Sequence, residues 1–144
     1  MIIDDDSDDR NIFAESVNKV NSAFRCLQAS NAMDGYERLL KAADLPDYVF
    51  VDVNMPNMTG FELLSKIRAT EKLKDLKVII YTTSNQKSAI ETAKNLGANG
   101  FFTKPEEISA LVNYISGLVN ERSTAAFIEV GMLAVLASLI ASLN

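Results

Sequence analysis

Residues 47–64 read DYVFVDVNMPNMTGFELL. The run from Tyr48 to Val51 is continuously apolar and reads as a strand of the kind buried on both faces. It ends in Asp52, followed by Val53 and Asn54. Thr59 and Glu62 then stand in capping-box spacing and open a helix that runs to about Thr70. Strand, carboxylate, turn and capped helix form one unit, and the rest of the chain repeats its pattern.

On the amino-terminal side, MIIDDD (1–6) reads as a strand running into acids. A helix follows over about 8–20, with Phe13, Val17 and Val20 at helical spacing. FRCLQAS (24–30) alternates weakly and predicts a second strand. Asn31 is placed to cap a helix over about 32–43. On the carboxyl side, LKVIIYTTS (76–84) predicts a fourth strand. A helix from about Gln86 ends at Gly97, a natural left-handed cap. GFFTKP (100–105) predicts a short fifth strand stopped by Pro105. Glu106 and Glu107 are expected in the first turn of a fifth helix, where acids suit the helix dipole. Ile108, Leu111, Val112, Ile115 and Val119 give that helix its core face.

Five strands alternating with five helices predict an α/β fold with a doubly wound, five-stranded parallel sheet. In such sheets connections are right-handed and sites form beyond the carboxyl ends of the strands. Asp4 and Asp5, Asp52 and Asn54, Thr82 and Thr83, and Lys104 with Pro105 all follow apolar runs. They are expected along one edge of the sheet.

Composition narrows the chemistry. The 144 residues are 48% hydrophobic and 23% charged, which suits one globular domain of ordinary size. The single cysteine, Cys26, cannot form an internal disulfide, so a reducing, cytoplasmic compartment is expected. No signal peptide is read at the start, since the apolar residues stop after Ile3. The net charge of −5 argues against a nucleic-acid surface. There is no histidine, which excludes histidine-based triads, histidine zinc sites and phosphohistidine relay by this chain. Its chemistry must run on carboxylates, hydroxyls, lysine and a hard metal ion.

Asp4, Asp5 and Asp52 converging on one cleft would repel one another, and some would protonate. A divalent cation resolves this: three carboxylates, one Mg²⁺ and the Lys104 ammonium sum to zero charge. A carboxylate beside Mg²⁺ and a lysine can accept a phosphoryl group, with catalysis mostly a matter of positioning. Thr82 would offer its hydroxyl to a phosphoryl oxygen. Asp6, Asp8 and Asp9 read as decoration of the first helix N-terminus. Asn57 and Met58 read as shaping the turn after Pro56.

IIDDD with Arg10 beyond it, NAMDGYERL, VFVDVNMPNMTGFELL, VIIYTTSN and AKNLGANGFFTKP occur in an order and spacing that resembles the receiver domain of bacterial two-component response regulators. The resemblance covers residues 1–121 and implies the chemotaxis-regulator fold, flavodoxin-like, with strand order 2-1-3-4-5. It implies Asp52 as phosphoacceptor, and Asp4 and Asp5 as the acidic pair that holds Mg²⁺ with the backbone carbonyl of Asn54. Thr82 looks like the switch hydroxyl and Lys104 like the phosphate-contacting lysine. Phe101 looks like the switch aromatic, and Pro105 would follow a cis peptide. Implied partners are a sensor histidine kinase or a histidine phosphotransfer protein, and a downstream protein target. The domain would catalyse its own phosphotransfer and hydrolysis, with Asn54 and Ser84 where the family tunes the lifetime.

Three rival readings differ in what they leave unexplained. A Mg²⁺-dependent aspartyl phosphatase would read Asp4 to Asp6 as its D-x-D motif, with Asp4 as nucleophile. It would leave Asp52 idle. A non-phosphorylated receiver-like interaction module would use the fold alone. A flavodoxin-type flavin site would need a phosphate-binding loop after the first strand, and none is there.

Two features depart from a plain receiver. The first strand starts three residues before Asp4, so either it is short or the natural start lies upstream. At the other end, ERST (121–124) reads as a break before AAFIEVGMLAVLASLIASL (125–143), whose only charge is Glu129. Residues 122–144 are therefore expected to be an apolar helical extension. Nineteen helical residues span about 28 Å, near a bilayer core. Yet Leu133, Leu136, Ile140 and Leu143, beside a stripe of Gly131, Ala134, Ser138 and Ala141, suit helix pairing better. Oligomerisation or docking is the expected role, with a membrane anchor, or foreign sequence or a divergent gene end, as alternatives.

Overall fold

The apolar run around Phe50 becomes the centre of a parallel sheet. A computed structural model of the protein describes residues 1–120 together with the strand pair at Ile128–Glu129. The elements are β1 (Ile2–Ile3), α1 (Ser7–Val20), β2 (Gln28–Ala29), α2 (Ala32–Lys41), β3 (Val49–Val51) and α3 (Gly60–Ala69). There follow β4 (Val78–Thr82), α4 (Lys87–Asn95), β5 (Gly100–Thr103), α5 (Ile108–Asn120) and β6 (Ile128–Glu129). The first five strands lie in the order β2-β1-β3-β4-β5, as expected, all parallel.

Alternation along the strands sorts side chains into two cores. Ile3, Val49, Val51, Val78, Ile80 and Phe101 share one with Leu39, Leu63, Leu64 and Ile67 from α2 and α3. Their strand neighbours Ile2, Phe50, Ile79, Tyr81 and Phe102 share the other with Phe13 of α1 and Leu111, Tyr114, Ile115 and Leu118 of α5. Both faces of the sheet are covered, so the strands carry no polar alternation. The second core is aromatic, with Phe13 and Phe50 ring centres 4.6 Å apart and Phe102 stacked on Tyr114 at 4.3 Å.

Helix starts follow their caps. The Asn31 side-chain oxygen Oδ1 accepts the Asp34 N–H at 2.8 Å. Thr59 and Glu62 form the expected capping box. Gly97 closes α4 with φ +85°, the left-handed region. One expectation moves: α5 starts at Ile108, so Glu106 and Glu107 precede the helix instead of filling its first turn.

The carboxyl-terminal helix expected over 125–143 is corrected at Ile128 and Glu129. These two form β6, pairing parallel with β5 in the register Gly100↔Ile128 and Phe101↔Glu129. An open sheet edge presents unpaired N–H and C=O groups, and a segment returning to it satisfies them. The other residues of that expected helix lie outside those described. Among the described residues no helix is long and apolar enough to cross a membrane.

Candidate functional site

Neighbouring strands β1 and β3 carry helices that depart to opposite faces, α1 to the aromatic core and α3 to the other. That divergence opens a crevice at their carboxyl ends. Asp4 and Asp52 stand there. The Asp4 N–H bonds the Ala29 carbonyl at 3.1 Å and the Asp52 N–H bonds the Ile3 carbonyl at 3.0 Å, so the ladder itself holds both acids. Both are buried, whereas Asp5 is exposed. Carboxylate oxygens of Asp4, Asp5 and Asp52 lie within 4.8 Å of one another.

The fourth group arrives from β5. The Lys104 N–H bonds the Thr82 carbonyl at 2.7 Å, tying the end of β5 to the end of β4. The Lys104 ammonium, 11% exposed, lies 2.8 Å from Asp4 Oδ2 and 3.7 Å from Asp52 Oδ1. Its nearest partner is Asp9 Oδ2, at 2.7 Å. Sequence reading gave Asp9 no more than a helix-dipole role. Asp6 caps α1 by accepting the Asp8 and Asp9 N–H groups at 2.8 and 3.2 Å, which fixes the turn that presents Asp9. Arg10 donates to the Asp4 carbonyl at 2.8 Å, and the Asp6 N–H donates to Asp4 Oδ1 at 2.9 Å.

Electrostatics follow from this packing. Burial lifts the Asp52 carboxyl to about 6; Lys104 opposes the rise, while repulsion from Asp4 and Asp5 adds to it. Burial also raises Asp4, against the pull of Lys104 and the Asp6 N–H. Burial works against the Lys104 ammonium, but Asp4 and Asp9 more than reverse this and hold it above the ordinary lysine range. Four carboxylates (Asp4, Asp5, Asp9 and Asp52) against one ammonium leave a net charge of −3. Two like charges 4 Å apart at an effective dielectric near 20 repel by ~4 kcal/mol. An all-carboxylate set this tight fits a hard divalent cation.

The remaining expected residues fall as follows. Thr82 ends β4 and is fully buried, and its Oγ1 has no hydrogen-bond partner among the described residues. Asn54 is exposed in the β3–α3 loop. Phe101 is 2% exposed, pairs in register with Ile80 and belongs to the core cluster that also holds Ala93 and Ala98. The peptide bond before Pro105 is trans, which corrects the cis expectation. Trans is the intrinsically favoured isomer by about 0.5–1 kcal/mol, and from it Lys104 already reaches Asp4 and Asp9.

Gly60 also serves the site without having been singled out. A Cβ there would lie 2.2 Å from the Asp52 carbonyl oxygen, so only glycine lets α3 start this close to the acid.

Comparison with known proteins bears on the family and the fold. The response regulator receiver domain family matches residues 1–116. A chemotaxis protein CheY homolog of Campylobacter jejuni is 31% identical over 105 residues, covering 73% of this chain and 79% of that protein. Chemotaxis protein CheY-3 of Vibrio cholerae is 39% identical over 110 residues, covering 73% and 78%. The phosphorylated cyanobacterial phytochrome response regulator RcpA shares the fold, with a TM-score of 0.75 at 22% identity over 85% of this chain and 94% of that one. Matches of this extent run through the same strands that carry the acids and the lysine, and the chain belongs to the response regulator receiver domain family.

Proposed function

We propose that this CheY-like receiver works as a phosphorylation-dependent switch in two-component signalling, with Asp52 as the phosphoacceptor. The observation that carries the reading is the Asp52 carboxylate itself: buried, lifted to about 6, grouped with Asp4 and Asp5, and 3.7 Å from Lys104. At pH 7 such a group is mostly ionised and nucleophilic, and its charge is held in a site with little water to screen it. The phosphorylated state of the related RcpA supports the same reading.

The donor would be a phosphohistidine of a sensor kinase or phosphotransfer protein. An Asp52 oxygen attacks phosphorus and the P–N bond breaks. Its electron pair returns to the imidazole nitrogen, which takes up a proton. Asp4, Asp5, Asp52 and the Asn54 carbonyl would hold Mg²⁺, which when bound offsets charge on the transferring oxygens. Lys104 offers an ammonium to the same oxygens. Thr82, whose hydroxyl has no hydrogen-bond partner among the described residues, would gain an acceptor when a phosphoryl group arrives. That gain shifts the β4–α4 loop and the packing around Phe101 toward a second arrangement with a different partner preference. Residues 122–144 would mediate self-association, which light scattering on the full chain would register as an oligomer.

Acetyl phosphate with Mg²⁺, followed by mapping of the modified residue, tests the reading. Label on Asp52, abolished by Asp52→Asn, is the expected result. Label on Asp4 would favour an aspartyl phosphatase, and no label at all would leave a receiver-like interaction module.

A further inference from the structure

Lys104 has three donor hydrogens, and among the described residues its two short contacts are to Asp4 and Asp9, at 2.8 and 2.7 Å. The 3.7 Å to Asp52 exceeds hydrogen-bond length. Asp4 is enclosed at the end of β1 and braced by the Asp6 N–H, so it is a fixed partner. Asp9 differs. It stands on α1, its side chain is 33% exposed, and it draws the ammonium toward the helix. Its charge also exceeds what one divalent cation and one lysine can neutralise: four carboxylates, one ammonium and one dication sum to −1.

The geometry points to Asp9 as a positioning residue, a latch that holds the Lys104 ammonium off the phosphoacceptor until a phosphoryl group competes for it. The inference rests on Asp52 being that acceptor. A phosphoryl group on Asp52 and the Asp9 carboxylate are rival anions for the same ammonium. Lys104 keeps a third hydrogen for the phosphoryl oxygens, but the ammonium sits 2.7 Å from Asp9 and 3.7 Å from Asp52, so moving toward a group on Asp52 draws it away from Asp9. The latch therefore favours the unmodified state, and the phosphorylated state is reached against it. Removing the Asp9 charge should shift the balance toward the phosphoryl-bound state without touching the acceptor, the acidic pair or the lysine.

Beryllofluoride with Mg²⁺, titrated into the full chain and read by ¹⁹F NMR, tests this. Asp9→Asn, which keeps size and shape, should bind about three- to tenfold tighter than wild type, the scale of a partly exposed ion pair released. Asp8→Asn removes an equal charge from the same helix turn and should stay within about twofold. Exchange of the Lys104 ammonium hydrogens with water should quicken in Asp9→Asn before any beryllofluoride is added. Unchanged or weaker binding by Asp9→Asn overturns the latch, as does an equal gain in Asp8→Asn, which would mark a diffuse charge effect. If the folded wild-type chain binds no beryllofluoride, the phosphoacceptor reading falls first and the latch falls with it. The two failures are thus told apart by the wild-type titration.

Discussion

Asp52 is charged at neutral pH against the preference of its surroundings, because desolvation lifts its carboxyl from 3.8 to about 6. The consequence for stability has a definite sign. Between pH about 4 and 6 the folded chain holds a proton that the unfolded chain has released, so stability falls as pH rises through that window. Asp4, raised by burial as well, acts in the same direction. Asp52→Asn abolishes the Asp52 contribution. Without divalent cations, urea unfolding should find the variant more stable than wild type by ~1–3 kcal/mol at pH 7, with the difference gone near pH 4. A variant no more stable at pH 7 would contradict the burial argument. The positions of Asp4, Asp52 and Lys104 were legible because each ends an apolar run. Asp9 was not, since its meeting with Lys104 depends on the rotational phase of α1 and the path of a side chain 95 residues away.

At the scale of elements, the β3–α3 connection does most to shape the site. The capping box at Thr59 and Glu62 sets where α3 starts, and the Gly60 N–H bonds the Val53 carbonyl at 3.0 Å to draw that start against the acid's own backbone. Gly60→Ala adds a Cβ 2.2 Å from the Asp52 carbonyl oxygen, a backbone atom that cannot rotate away. Alanine is the better helix former by about 1 kcal/mol, yet the clash should win. The expected outcome is a net loss of ~1–3 kcal/mol by denaturant melt, together with weaker beryllofluoride binding as the Asp52 loop shifts. A stabilised Gly60→Ala would mean that α3 can retreat freely. The strand and helix types were readable from period and caps, and strand ends were the least secure: β2 shrinks from seven expected residues to Gln28–Ala29. A strand ends where pairing ends, and pairing is set by neighbours far along the chain.

For the whole molecule, the two cores as described are built from residues within 1–120, and β6 pairs two residues with the β5 edge. A chain ending at Arg122 should therefore fold with nearly unchanged stability and still accept a phosphoryl group. Its Gly100–Thr103 amides should exchange faster with deuterium, because the edge that Ile128 and Glu129 cover is open again. Exchange as slow as in the full chain would show that β6 does not protect this edge in solution. Loss of folding would mean that the terminal residues belong to the cores.

The sequence by itself determined the alternation of strands and helices, the doubly wound class, the caps, and which residues stand at strand ends. These are properties of local periodicity and of short side-chain-to-backbone bonds. It also set the chemistry available, through the absence of histidine and the wealth of aspartate. Tertiary structure alone decided that Lys104 lies closer to Asp9 than to Asp52, that Gly60 has no room for a methyl group, and that the bond before Pro105 is trans. It also turned Ile128 and Glu129 from an expected helix into a sixth strand. Each of these depends on distances between segments far apart in the chain, which packing sets and no local pattern encodes.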